Sequence, residues 1–244
     1  LLHWKHGALP VHPVTGEIGF AFIHGNWCLD NSLPGGGWCG LNDELTLLRD
    51  LGCYADFTMP SAPSPTQTKT INSIYYAVDD PHAPKSHDTG TPARAGVQGR
   101  GDLLLVQGPL GLNWRDRRHG FLPRVENSDI RANHPPTPGR VDTWIEAGIH
   151  VQGRPEWRFV KIHTHGAPEA EADVVLGPEV DAMFSYLEER YNDGERYVLH
   201  YVTPREVYNI IKAAEAGHGG DPGQYRDFIL PAPSSSYSAQ RARA

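Results

Sequence analysis

The sequence contains no run of about 18 apolar residues, so nothing in it reads as a membrane span. Its cysteines are few. Cys28, Cys39 and Cys53 are odd in number and fit neither a disulfide framework nor a zinc spacing, which points to a reducing, cytoplasmic setting. A basic excess is missing too: 22 Lys and Arg face 29 Asp and Glu for a net charge of -7, and no basic aromatic stripe occurs, which argues against nucleic acid as a partner. There is no phosphate-binding glycine loop and no internal repeat. No Met and no signal peptide stand at Leu1, so the true N-terminus, with any targeting segment, is expected upstream.

What is present suits one globular domain of 244 residues, 39% hydrophobic, with 26 Gly and 21 Pro concentrated between residues 81 and 140 as long loops. The domain is expected over residues 1–230. Residues 231–244, with Ser234 to Ser236 and a closing Arg-Ala repeat, read as a disordered tail.

Residues 159–166, Phe-Val-Lys-Ile-His-Thr-His-Gly, carry the densest chemistry. An apolar run stopped by Gly166 and Pro168 reads as a buried strand, with His163 and His165 emerging on one face as half a metal site. The alternative is a hydrogen-bonded core histidine beside a surface one. Gly177-Pro178 opens a helix over residues 178–192 with Val180, Phe184, Leu187 and Tyr191 on one face. Residues 197–202 read as a second strand bearing His200. They lead into Thr203-Pro204-Arg205-Glu206, a capping box for a last helix that Gly217 ends. Strand, helix, strand, helix is the pattern of parallel β/α units, whose ligand groups gather at the C-terminal ends of strands.

Earlier in the chain, residues 19–24 read as a short buried strand followed by His24, Asn26, Trp27, Asp30 and Asn31, working groups or simple Asx turns. A helix is expected over residues 43–51 with Asn42 as N-cap and Leu45, Leu48 and Leu51 on one face. Strands follow at residues 54–59, 71–78 and 103–108, the second delivering Asp79 and Asp80. His82, His87 and Asp88 sit in a loop with nothing to preorganise them as ligands, residues 113–119 read as a basic turn, and residues 141–152 as a short helix or strand.

The order of elements, with Val160 to His165, residues 178–192 and Tyr201 to Val207, resembles the C-terminal half of the polysaccharide deacetylase (NodB-homology) superfamily, in its exopolysaccharide-associated branch. Residues 20–27, the Leu45 to Leu51 helix and Gly52 to Asp56 are similar to its middle strand, Leu-rich helix and following turn. The resemblance covers roughly residues 18–80 and 155–216. It implies an α/β fold, a distorted β/α barrel with its middle and C-terminal portion present, and a metal-assisted hydrolase removing acyl groups from the amino sugars of a polysaccharide. It further implies a divalent metal such as zinc, with His163 or His165 protonating the leaving amine and His24 and His165 as metal ligands. Asn26, Trp27, Asp30, Trp144 and His200 are the expected substrate-binding residues. The family's Thr-Phe-Asp-Asp-Gly and His-Ser-x-x-His motifs do not occur; Asp79-Asp80 and His82-x4-His87 imitate them too late in the chain, and His24-Gly25-Asn26 stands where an arginine is expected.

Two other readings remain open. A non-catalytic barrel could bind glycan through Trp27, Trp38, Trp114 and Trp144. A cupin-like metal oxygenase would use His163-x-His165-x3-Glu169 and requires antiparallel strands after that motif.

Overall fold

The computed structural model describes residues 2–60, 63–166 and 168–233. The expected disordered tail lies, from residue 234 on, outside the described residues. The elements run α1 (Leu2–His6), β1 (Phe20–Phe22), α2 (Glu44–Asp50), β2 (Cys53–Asp56), β3 (Ile74–Ala77), β4 (Gly90–Pro92), β5 (Leu103–Val106), β6 (Gly111–Arg118) and β7 (Leu122–Glu126). They continue with β8 (Asp129–Ile130), α3 (Pro138–Glu146), β9 (His163–Thr164), α4 (Ala172–Val175), α5 (Pro178–Arg190) and α6 (Pro204–Glu215).

Five strands make an open mixed sheet in the order β1-β2-β5-β3-β4. β1, β2 and β5 are parallel, whereas β3 runs antiparallel to both β5 and β4. The central β5, Leu-Leu-Leu-Val, is at most 2% exposed throughout, as a strand covered on both faces must be. On one face Leu45 and Leu48 of α2 pack with Leu29, Cys53, Tyr75, Leu103 and Leu105. On the other, Ile210, Ile211 and Ala214 of α6 pack with Ala55, Phe57, Ile74, Leu104 and Val106. A third cluster joins Ile130, Val141 and Trp144 to Val174 and Met183.

Helix ends follow their local chemistry. Thr203 accepts from the Glu206 N–H while Glu206 accepts from the Thr203 N–H, the reciprocal capping expected of α6. Gly52 turns the chain from α2 into β2 at φ 95°, where a Cβ would lie 2.5 Å from the Ile18 carbonyl oxygen, so only glycine fits. At the start of α2 the Asn42 cap is not used. The Thr46 N–H donates instead to Asp79 at 2.8 Å.

The β/α barrel does not form. The five-stranded sheet ends at β1 and β4, and no closed barrel occurs among the described residues. Two segments that should have been its strands are irregular. Of residues 159–163 only His163 is in a strand, β9, which pairs with β8 and not with β1; residues 197–202 pair with nothing. Val160, Ile162 and Val198 are 42%, 41% and 61% exposed, while Phe159 and Val202 pack against the cluster under α6, so neither run is covered on both faces as a barrel strand would be. The expected basic turn at residues 113–119 lies mostly in β6 of a hairpin, and residues 141–146 are helical in α3. The chain after His165 enters α4 and α5, which removes the antiparallel strands a cupin needs.

Candidate functional site at the ends of the parallel strands

β1 and β2 deliver their next residues to one end of the sheet, where Ala55 and Phe57 face α6 and alternation sends Asp56 to the opposite face. The Asp56 carboxylate accepts from the Thr58 N–H at 2.9 Å and from the Thr58 hydroxyl at 2.7 Å. That hydroxyl oxygen in turn accepts from the His24 N–H at 2.7 Å, which ties the exit of β1 to the exit of β2. Residues 159–162, although no strand, lie across this end. The Lys161 ammonium donates to the Phe57 and Met59 carbonyls at 2.6 and 2.8 Å. Gly108, just past β5, would bring a Cβ within 3.2 Å of the Lys161 carbonyl oxygen and 3.3 Å of that of Pro60, so the two segments meet without room for a side chain. Burial raises the Asp56 carboxyl and lowers the Lys161 ammonium, while their mutual attraction opposes both shifts.

β9 pairs in parallel with β8 and so sets His163 beside Asp129, with Nε2 3.6 Å from Oδ1. Both ring nitrogens of His163 and Oδ1 of Asp129 are buried without a hydrogen-bond partner, so they can engage a third group. Burial drops His163 to about 4, with Lys161 and His165 adding to the shift and Asp129 opposing it. The imidazole is therefore neutral at pH 7. Trp27 stands over the pair, its ring centroid 6.0 Å from that of His163 and 6.0 Å from that of the exposed His165.

The loop that carries Trp27 is strained. Asn26, Trp27, Asp30 and Asn31 have φ of 55°, 58°, 57° and 49°, a conformation Asn and Asp tolerate but tryptophan rarely adopts. Glu44 clamps this loop: its carboxylate accepts from the Asp30 N–H at 2.6 Å and from the Cys39 thiol at 3.4 Å, and faces His24 Nε2 at 3.4 Å. His24, Cys39 and Glu44 thus bring one ligand atom each within 4.8 Å of one another. Imidazole, thiolate and carboxylate are a donor set that zinc accepts, with three protein ligands leaving a coordination position open. Burial raises the neighbouring Cys28 thiol, and Cys39 and Glu44 raise it further. Beyond Asp30 the chain borders an open cleft of about 520 Å³ between residues 31–36 and 84–88.

Of the expected site residues, His24, Trp27, His163 and His165 lie at this end of the sheet, and Asn26 is exposed in the same loop. His165 is not among the ligand atoms gathered around His24, where Cys39 and Glu44 stand instead. Asp30 is fully buried, its carboxylate accepting from the Ser86 hydroxyl at 2.6 Å and the His87 N–H at 3.1 Å, which ties the loop to residues 86 and 87. Trp144 is 2% exposed with its indole N–H on Glu126, and offers no aromatic face. His200 sits against Asp221, Nε2 to Oδ1 3.3 Å, in the turn after α6. Because β3 is antiparallel, Asp79 leaves at the other end of the sheet, where its N–H donates to Asp102.

Sequence reasoning missed Cys39, Glu44, Asp56, Thr58, Asp129 and Lys161. Only Lys161, a charge inside an apolar run, gave a signal. No family model, no curated protein and no solved structure matches this chain. No helix of the described residues is long and apolar enough to cross a membrane.

Proposed function

We propose that this chain is a metal-assisted hydrolase that removes an acyl group from an amino sugar of a polysaccharide. One observation carries the reading: the mutually close ligand atoms of His24, Cys39 and Glu44 share the end of the parallel strands with the unpartnered His163–Asp129 pair under Trp27. The divalent ion that these three residues would hold supplies, when bound, polarisation of an acyl carbonyl and a lowered pKa for water. His163, with both ring nitrogens free of a hydrogen-bond partner, is placed to take the proton of a water whose oxygen bonds to the acyl carbon. The same proton returns to the nitrogen as the C–N bond breaks, leaving a carboxylic acid and an amine, and the acid's proton then passes to the amine to give carboxylate and ammonium. Asp129, whose Oδ1 faces Nε2 at 3.6 Å, stabilises the charged form of the imidazole. Trp27 gives the sugar ring an apolar face.

The test is acetate release from an N-acetylated oligosaccharide with zinc supplied. Glu44→Gln and Cys39→Ser should lower zinc content, and His163→Gln should cut the rate roughly a hundredfold or more with zinc content and melting unchanged. If the chain takes up no divalent metal and releases no acetate, yet retains the oligosaccharide in a manner lost with Trp27→Ala, the non-catalytic glycan-binding reading replaces this one.

A further inference from the structure

Away from this site, a cavity of about 260 Å³ opens where β6, α3, the end of α5 and the loops at residues 158 and 193–197 come together. Four arginines from separate stretches, Arg115, Arg158, Arg190 and Arg196, line it. The three carboxylates on its wall are already engaged. Glu146 takes a two-pronged bond from Arg115 at 2.9 and 3.3 Å. Asp142 accepts from the Tyr186 and Tyr191 hydroxyls at 2.8 and 2.6 Å. Asp193 accepts the N–H groups of Glu195, Arg196 and Tyr197 at 2.8 to 3.0 Å, bonds that hold its carboxyl below the usual range.

Arg158, Arg190 and Arg196 make no side-chain hydrogen bond and no ion pair with a carboxylate among the described residues; Arg196 lies over the Tyr197 ring, 5.4 Å from its centroid, and its charge helps to lower the Asp193 carboxyl from a distance. A lone arginine at the last turn of a helix, as Arg190 is in α5, needs no ligand to explain it. Three unpaired guanidiniums that converge from residue 158 and from both sides of the residue 191–195 turn do repel one another, and a chain of net charge -7 has carboxylates enough to have paired them. Each guanidinium presents a planar fork of donors that matches an oxyanion.

We infer that this cavity is a binding site for an oxyanion, a phosphate group or the carboxylate of an acidic sugar, held by Arg158, Arg190 and Arg196. The site stands independently of the hydrolase reading, because neither zinc nor His163 takes part in it.

The experiment is calorimetric titration of the full chain at low salt with inorganic phosphate, with an oligogalacturonate and with a neutral N-acetylated chito-oligosaccharide. At least one of the two anions should bind, more weakly as salt is added, and the combined Arg158→Gln, Arg190→Gln and Arg196→Gln variant should bind it at least tenfold more weakly. Arg100→Gln, an exposed arginine outside the cavity, controls for net charge and should change nothing. The three substituted side chains are exposed, so melting should stay at the wild-type value, and the single Arg190→Gln variant should give an intermediate loss. Phosphate binding without oligogalacturonate binding identifies a phosphoester ligand, and the reverse identifies an acidic glycan. Failure of both anions to bind, or equal binding by the triple variant and the wild type, overturns the inference.

Discussion

Arg140 and Glu126 form a buried ion pair, each 1% exposed, joined by bonds of 2.8 and 2.9 Å. Arg140 also donates to the carbonyls of Asp129, His134 and Pro135, so a single guanidinium fixes the turn after β8 and with it the Asp129 that faces His163. Removing one partner strands a buried charge. Arg140→Met is expected to cost about 3 to 5 kcal/mol in urea unfolding. His163 makes a pH prediction of definite sign. Its folded pKa, about 4, lies below the ordinary 6.5, so the unfolded chain binds its proton first. The stability it contributes is complete above pH 6.5 and is lost as pH falls toward 4; unfolding free energies measured from pH 7 to 4 should therefore fall more steeply for the wild type than for His163→Gln. Asp56, raised by burial, acts in the opposite sense in both proteins and cancels in that comparison.

At the scale of the element, α5 shows which part of a periodic pattern reaches the core. Residues Val180, Met183 and Leu187 turn toward Trp144 and Val174, with Met183 4% exposed, whereas Phe184 remains 40% exposed with its ring edge-on to Tyr201. Met183→Ala should cost about 2 to 5 kcal/mol and Phe184→Ala clearly less, as thermal melting of the two variants will show. Three helices were legible from sequence because their signals are local: Thr203 and Glu206 cap α6, Gly177 and Pro178 open α5, and Leu45 and Leu48 mark the inner face of α2, although Leu51 ended up 64% exposed; residues 141–152 read equally as helix or strand, and α1 and α4 show no such signal. Four strands of the main sheet were legible as short apolar runs, whereas the edge strand β4, Gly-Thr-Pro, has no such run and reads as loop. Residues 159–162 and 197–202 carry the same composition and failed, because a strand exists only where a partner offers register, and partner choice is not written in the run itself. The site was half legible for the same reason. His163 and His165 announce themselves by spacing, but the link from His24 to Cys39 and Glu44 depends on how a strained loop folds back, and the one between Lys161 and Phe57 spans 104 residues of chain.

Taken as a whole, the molecule is closed by its last helix. The sheet face formed by Ala55, Ile74, Leu104 and Val106 is covered by Ile210, Ile211 and Ala214, and the cover is pinned by the Tyr76 hydroxyl donating to Glu215 at 3.0 Å across 139 residues. The order of synthesis is therefore at odds with the order of packing. The last central strand leaves the ribosome about a hundred residues before α6 does, an interval of roughly 5 to 20 seconds at ordinary elongation rates during which an apolar sheet face has no lid. Nascent chains arrested near residue 200 should accordingly be cut by protease within the sheet and held by chaperones, while chains of all 244 residues carried on a C-terminal linker long enough to bring α6 out of the ribosome should resist both. Slower elongation over residues 107–215 would lengthen that interval, so the yield of this protein should depend on how quickly this stretch is translated more than on the stability of the finished fold.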